Sequence, residues 1–371
     1  MTDWTDPETF SAALDLVETR EKGNYFEDFT EGATIEHAPG LRLTRSGNET
    51  WMAQTLNHDP AHWRTDAARA RGFDDPPIHP DYLLASVMGP SVEDLSEKGG
   101  YFLGRDGVRF HRHGVPPGTE LRVESTVEAT RTSSSRPEYG IVTWETRGID
   151  ADDGETLVSY ERTNMLPRRE PAATDGGRSE SADESPPGDE STPALPETFV
   201  TPEGGAFEDF RRAFDEAADR DAAVAYRHER GRTMDAVTVA ALPLATLNTA
   251  RQHHNAEAMR DSPSGEPVAY GDVTRSTALG HARSDERTYR ELAFDDERFH
   301  DFVTAGDTVF AFTRVLDADG SSGPSRAGEV TFEHVAFTGD ERPVYSGTRR
   351  ALIDRVDASE TTTDTQTTTH L

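Results

Sequence analysis

The sequence predicts an α+β fold built twice in tandem, each copy an antiparallel sheet wrapped around one central helix. Three observations carry that expectation. A motif recurs about 190 residues downstream: Thr55-Leu56-Asn57-His58-Asp59-Pro60-Ala61-His62 is echoed by Thr246-Leu247-Asn248-Thr249-Ala250-Arg251-Gln252-His253. Each copy is an Asn, four residues, then a His. Other landmarks keep nearly the same offset: His37 and Gly40 match His228 and Gly231, Gly118 matches Gly306, and Gly140 to Trp144 match Gly328 to Phe332. Each half also carries one apolar helical segment followed by alternating strands. Finally, a stretch rich in Pro, Gly, Ser, Asp and Glu separates the halves. The expected organisation is a unit at 1–167, a disordered acidic linker at 168–199, a second unit at 200–356 and a disordered Thr-rich tail at 357–371.

The elements follow in order. Ile78 to Leu95 carries Ile78, Leu83, Leu84, Val87, Met88 and Leu95, a helical spacing with enough apolar side chains for burial on most faces. Leu121, Val123, Ser125, Val127 and Ala129 then alternate with Arg122, Glu124 and Glu128, as on a half-buried strand. Strands at Ile141 to Arg147 and Thr156 to Thr163 flank the turn-forming Asp150-Ala151-Asp152-Asp153-Gly154. The second unit repeats the order, with a helix at Gly271 to Ala282 and strands at Thr308 to Leu316, Glu329 to Phe337 and Pro343 to Asp354.

Composition narrows the function classes. The net charge is −31, and Lys22 and Lys98 are the only lysines among 38 basic residues. With 34% hydrophobic residues and clear strand alternation, the chain reads as folded domains whose acidic surface suits molar salt, as in a haloarchaeal cytoplasm. Phosphates would be repelled, so nucleic acid is not an expected partner. Cysteine is absent, which removes disulfides, zinc–thiolate sites and thiol nucleophiles. No apolar run approaches a membrane span, and Met1 to Asp6 lacks the features of a signal peptide. A soluble, cytoplasmic protein is expected.

The first unit resembles the MaoC-like hydratases of the hotdog fold. The resemblance rests on Tyr25-Phe26-Glu27-Asp28-Phe29, on the Asn57-to-His62 motif, and on Gly107-Val108-Arg109-Phe110 leading to Pro116-Pro117-Gly118. It rests also on Ser135-Arg136-Pro137, on Gly140 to Trp144, and on Tyr160-Glu161-Arg162-Thr163-Asn164. It covers nearly all of unit one and, more weakly, unit two. A tandem, or double, hotdog fold is implied. So is reversible hydration of an enoyl-CoA thioester, most similar to the haloarchaeal branch acting on mesaconyl-CoA (2-methylfumaryl-CoA) to give β-methylmalyl-CoA. CoA enters as part of the substrate, and no metal or redox cofactor is implied. The two units would form a pseudo-dimer, and pairing of chains into a homo-oligomer is compatible with the fold.

Two departures stand out. Many of these hydratases carry Asp-x4-His, where this chain has Asn57 and Asn248. Many open the central helix with His-Gly; here Ile78-His79-Pro80 has proline, whereas Ala269-Tyr270-Gly271 keeps the glycine.

Hydration needs a water to be held and deprotonated, a proton to reach the α-carbon, and the thioester oxygen to be stabilised as enolate charge develops. Histidine titrates near neutrality and suits the acid/base role. His62 is therefore the main candidate acid/base group and His253 the second, with Asn57 and Asn248 orienting the water, since an amide cannot take its proton. Asp59 is a nearby carboxylate able to replace the missing Asp. The enolate oxygen belongs at the central helix N-terminus. Pro80 has no N–H, so the first unit depends on His79 or Asp81, whereas Gly271 serves directly in the second. Arg105, Arg109, Arg112 and Arg136 are candidates for CoA phosphates or a substrate carboxylate. Each competes with a plainer role: helix capping for the Asn residues, a turn for Asp59, surface ion pairs for the arginines. His111 and His113 lie two apart, without further ligands at useful spacing, so no metal site is expected. The rival functions are an (R)-specific hydratase of simpler 2-enoyl-CoA esters, a non-catalytic acyl-CoA-binding protein and, more distantly, a thioesterase.

Overall fold

The structure is a computed structural model that describes residues 2–170, 195–282 and 286–356. Most of the expected linker and all of the expected tail lie outside the described residues.

The first repeat contains helices α1 (Pro7–Leu14), α2 (Arg45–Gln54), α3 (Thr65–Ala70) and α4 (Pro80–Ser96). Its strands are β1 (Thr34–Arg42), β2 (Tyr101–Phe110), β3 (Glu120–Thr132), β4 (Tyr139–Asp150) and β5 (Thr156–Pro167). The second repeat contains helices α5 (Phe207–Asp219), α6 (Ala236–Ala245), α7 (Ala256–Met259) and α8 (Gly271–Ala282). It adds the short β6 (Phe199–Val200), β7 (Ala223–Arg227) and β8 (Arg232–Thr233), then β9 (Thr288–Phe299), β10 (Thr308–Asp319), β11 (Ala327–Thr338) and β12 (Pro343–Asp354).

The two repeats share one sheet. Its order is β1-β3-β4-β5-β2-β9-β12-β11-β10-β7-β6, with β8 paired to β10. The seam is the antiparallel pair β2–β9, with Arg105 opposite Glu297 and Arg109 opposite Ala293. Neither seam strand announces itself by periodicity. In β2 the register shifts between Phe102 and Gly104 and again between Asp106 and Arg109, and such bulges break the alternation a sequence reader follows. A bulge also corrects the expected inward face of β3: Leu121, Val123, Ser125 and Val127 are buried, but the shift between Val127 and Ala129 leaves Ala129 exposed.

The central helices α4 and α8 pack on this sheet and against each other. Helix α4 starts at Pro80, two residues later than Ile78, because proline sits comfortably in a first turn that needs no N–H. One core joins the repeats: Leu84, Val87 and Met88 of α4 cluster with Val273 and Leu279 of α8, Phe294 of β9 and Tyr345 of β12. Burying such a face is what a single repeat cannot do alone.

A glycine in each helix braces the other repeat. A Cβ on Gly89 would lie 1.6 Å from the carbonyl oxygen of Thr246, and one on Gly280 would lie 2.0 Å from that of Thr55. Only glycine permits such contact. Thus α4 supports the Asn248 loop and α8 supports the Asn57 loop. No helix among the described residues is long and apolar enough to cross a membrane.

Candidate active site

Both Asn-x4-His motifs are built the same way. Helices α2 and α6 each end in a left-handed leucine, Leu56 at φ 59 and Leu247 at φ 62. The amide of Asn57 then bonds back to Met52 O, and that of Asn248 to Pro243 O, each at 2.9 Å. This is the helix-ending pattern usually served by glycine. A non-glycine residue held there is strained, and the surrounding contacts maintain it. The chain then enters a short helical turn, Pro60–His62 or Arg251–His253, which delivers the histidine. His62 Nδ1 lies 2.9 Å from Pro77 O, and His253 Nδ1 lies 2.8 Å from Val268 O. A carbonyl only accepts, so Nδ1 carries the hydrogen in both and Nε2 keeps the lone pair.

Beyond the histidine the repeats part. In the second, His253 is buried, and burial pushes its pKa down to about 4. The ring is therefore neutral at pH 7, with Nε2 as a base. His253 lines a cleft of about 470 Å³ together with Asn248, Tyr270, Gly271 and Asp272 of its own repeat. The first repeat contributes Met88, Phe102, Arg105, Arg162 and Asn164 to the same cleft. Asn248 Oδ1 accepts from Ala250 N at 3.1 Å, which orients the amide. Gly271 opens α8; a Cβ there would lie 2.7 Å from the Phe299 ring, so a larger residue would crowd the helix start. Its N–H has no acceptor among the described residues. An unpaired N–H at the positive end of a helix is a ready donor to an oxyanion.

In the first repeat every equivalent donor is spent. The His79 amide donates to Asn48 Oδ1 at 2.7 Å, Pro80 has none to offer, and the Asp81 amide donates to His79 Nδ1 at 3.1 Å. His62 packs edge-on against His79, ring centroids 4.7 Å apart, beside a cavity of only about 40 Å³. Asp59 is not a free base. Both its carboxylate oxygens lie within 2.9 Å of Arg71 Nη1, and Oδ1 also caps Ala61 N.

Comparison with known proteins agrees with this architecture. A family model described as mesaconyl-CoA hydratase matches residues 3–355. The chain belongs to the mesaconyl-CoA hydratase family. It is 66% identical over 363 residues to the mesaconyl-CoA hydratase of Haloarcula marismortui, covering 96% of this chain and 99% of that one. It is 30% identical over 346 residues to the mesaconyl-CoA hydratase of Cereibacter sphaeroides, covering 84% and 90%. Among solved structures, a MaoC domain protein dehydratase from Chloroflexus aurantiacus superposes with TM-score 0.75 at 21% identity, covering 91% of this chain and 99% of that one. Rv0216 of Mycobacterium tuberculosis, which has a double hotdog fold, superposes with TM-score 0.67 at 21% identity, covering 89% and 98%. These two likenesses establish the double hotdog fold.

The remaining expected residues of this family member scatter. Asn57 is buried with Oδ1 accepting from Asp59 N at 3.2 Å, and its Nδ2 has no partner among the described residues. It lines neither cavity. Asp81, expected at the substrate, instead holds Arg275 at 3.0 Å in a buried network. That network continues from Arg275 to Glu297, then to Arg105 and Asp272, and so ties α4, α8, β2 and β9 together. Arg109 is on the surface, paired with Asp295 at 2.7 Å. Arg112 pairs with Asp150, Asp153 and Glu155. Arg136 lies over the Tyr101 ring, 4.7 Å from its centroid, and Tyr101 lines the cleft. His111 and His113 follow the end of β2. His111 bonds Ser159, while His113 packs between Phe73 and Tyr289.

Sequence reasoning missed Arg162 and the cross-repeat braces. Arg162 was legible in principle: Tyr160, Arg162, Asn164 and Leu166 share the buried face of β5. An arginine at an inward position of a strand is a signal in itself.

Proposed function

We propose that this protein reversibly hydrates mesaconyl-CoA to β-methylmalyl-CoA, and that the second-repeat cleft is where it does so. The observation that supports the cleft most is the unpaired Gly271 N–H beside a neutral His253, set against a first repeat whose equivalent amides are all engaged.

In this reading, Asn248 and His253 hold the water. His253 Nε2 removes its proton as the oxygen adds to the β-carbon, and the π electrons move onto the thioester oxygen as an enolate. Gly271 N–H and the α8 dipole stabilise that charge. The enolate collapses, and the α-carbon takes the proton back from His253. One water has then added across one double bond, and the thioester is intact. The Nδ1–H to Val268 O bond fixes the ring tautomer throughout the cycle. Met88, Val92 and Phe102 shield the reacting carbons from bulk water. Arg136, beside the cleft mouth, supplies charge for the CoA phosphates.

The test is turnover of mesaconyl-CoA beside crotonyl-CoA in molar KCl, with products separated by chromatography. His253→Ala is expected to remove most activity and His62→Ala little of it. Preference for crotonyl-CoA would move the protein to the general 2-enoyl-CoA hydratases. Release of free CoA would indicate a thioesterase, and tight binding without turnover a carrier.

A further inference from the structure

Four arginines are buried in or beside the region where the repeats meet, and three of them are neutralised by carboxylates. The partly buried Arg71 likewise holds Asp59 and Asp354. Arg105 holds Asp272 and Glu297, and Arg275 holds Asp81 and Glu297. Arg349 holds Glu291. Arg162 is the exception. It is 2% exposed, it lines the His253 cleft, and no carboxylate lies within ion-pair distance among the described residues.

Its partners are all neutral. Nη1 donates to Ser91 Oγ at 2.8 Å and approaches Met88 Sδ at 3.1 Å. Nη2 donates to Ser96 Oγ at 3.2 Å, and Nε to Asn164 Oδ1 at 3.2 Å. The guanidinium also lies near the faces of Trp144 and Phe102, at 5.6 and 5.9 Å. These groups hold the plane still without cancelling its charge. Asp272 acts on it only at longer range, with both of its oxygens engaged by Arg105. A buried, unneutralised guanidinium is costly for a fold to retain. Burial pushes the Arg162 pKa below its ordinary value, whereas carboxylates raise those of Arg105 and Arg275.

The repeat supplies an internal control. Arg162 opposes Trp144 across β4 and β5, and Arg349 opposes Phe332 across β11 and β12, so the two arginines hold equivalent positions. Arg349 is satisfied from within the protein: Glu291 accepts at 2.8 and 2.9 Å and Thr288 at 2.8 Å. In the repeat-one position the counter-carboxylate is missing and an open cleft takes its place.

We propose that Arg162 selects substrate, taking the free carboxylate at the distal end of the acyl group as its missing counter-ion. This rests on the reading that the His253 cleft is the active site. In 2-methylfumaryl-CoA the free carboxylate is attached to the β-carbon, the carbon that receives the hydroxyl. Anchoring it at Arg162 sets the β-carbon's place relative to the water on His253 and Asn248. A planar guanidinium, already oriented, meets a carboxylate with little further loss of freedom. An acyl group ending in methyl leaves the charge unmet and binds poorly.

The test separates binding from chemistry. Succinyl-CoA and butyryl-CoA differ at that end by carboxylate against methyl, and neither has a double bond to hydrate. Their affinities are measured by calorimetry in molar KCl, where buried charges are little screened. The wild type is expected to prefer succinyl-CoA by about 100-fold. Arg162→Met is expected to abolish the preference while holding butyryl-CoA nearly as well, and Arg162→Lys to recover part of it. In turnover, Arg162→Met is expected to lose about 100-fold or more in kcat/KM on mesaconyl-CoA and much less on crotonyl-CoA. Its melting temperature should be unchanged or higher, since a buried charge has been removed. Survival of the succinyl-CoA preference in Arg162→Met overturns the proposal. So does an equal loss of both ligands with a lowered melting temperature, which marks a bracing residue. His253→Ala distinguishes the two readings: it is expected to keep the succinyl-CoA preference while losing turnover. If it keeps turnover instead, the assignment of catalysis to His253 fails and the binding result for Arg162 stands by itself.

Discussion

The two Asn-x4-His motifs are nearly superimposable in local chemistry and opposite in what surrounds them. Each sits after a left-handed leucine, and each histidine is latched by Nδ1 to a carbonyl, at 2.9 Å in the first repeat and 2.8 Å in the second. Around His62 the cavity shrinks to about 40 Å³, an Arg71–Asp59 pair closes in, and the helix-start amides are occupied. Around His253 the cleft is about 470 Å³ and the Gly271 amide has no acceptor among the described residues. Duplication preserved the scaffold in both halves. The proposed capacity to stabilise developing negative charge rests on one half, and the arginine proposed to meet a substrate carboxylate there comes from the other.

The sharpest challenge to that contrast is the paired substitution of the histidines. His253→Ala is expected to lower kcat for mesaconyl-CoA by about 10²–10⁴-fold, and His62→Ala by less than about tenfold. Equal losses would mean two working sites. Next in size is the buried arginine pair. Glu291→Gln strands Arg349 without its counter-ion and should cost about 3–5 kcal/mol of stability in denaturant titrations, in contrast to the stability retained by Arg162→Met. Replacing the amide at the start of α8 comes third. Gly271→Pro is expected to reduce kcat by about 10²–10³-fold, the usual consequence of losing one oxyanion donor, whereas Pro80→Gly in the first repeat should leave kcat unchanged.

The braces offer a subtler comparison. Gly89→Ala and Gly280→Ala each force a Cβ onto a backbone carbonyl, and each should cost about 1–3 kcal/mol by overpacking. Gly89 supports the Asn248 loop, so its substitution should also lower kcat. Gly280 supports the Asn57 loop, so its substitution should not.

The smallest effect concerns acid. His228, His253 and His281 of the second repeat have pKa values pushed to about 4 by burial, as has His113 of the first. An unfolded chain takes up protons on these groups near pH 6.5, before the folded one does. Their contribution to stability is therefore complete above about pH 6.5 and is lost as pH falls toward 4. His37, the counterpart of His228, has Asp94 at 2.7 Å, whereas His228 faces His281. Melting temperature should fall between pH 7 and pH 5, and His228→Asn should recover about 1 kcal/mol of the loss at pH 5. An unchanged melting temperature across that range would exclude buried neutral histidines.

Much of this was readable in advance, and the misses share a cause. Helix α8 covers Gly271–Ala282 among the described residues, where repetition of the first unit's order put it. The strands β3 to β5 and β10 to β12 were likewise legible from alternation. The seam strands β2 and β9 were not, since bulges interrupt their pattern and their partners lie in the other repeat. Among site residues, His253, Asn248 and Gly271 meet in one cleft. Asp59, Asp81 and Arg109 turned out to be engaged in ion pairs, because a charged side chain in sequence carries no mark of its eventual partner.

The sequence by itself determined the duplication, the α+β class, the central helices and the identity of the motif. All of these depend on spacing along the chain, and spacing is local. Which motif faces the larger cleft was decided only by tertiary structure. An amide's availability depends on whether Asn48 or His79 reaches it, and a guanidinium's charge on whether Glu291 has a counterpart. Those are distances between residues remote in sequence, set when both repeats close around one core.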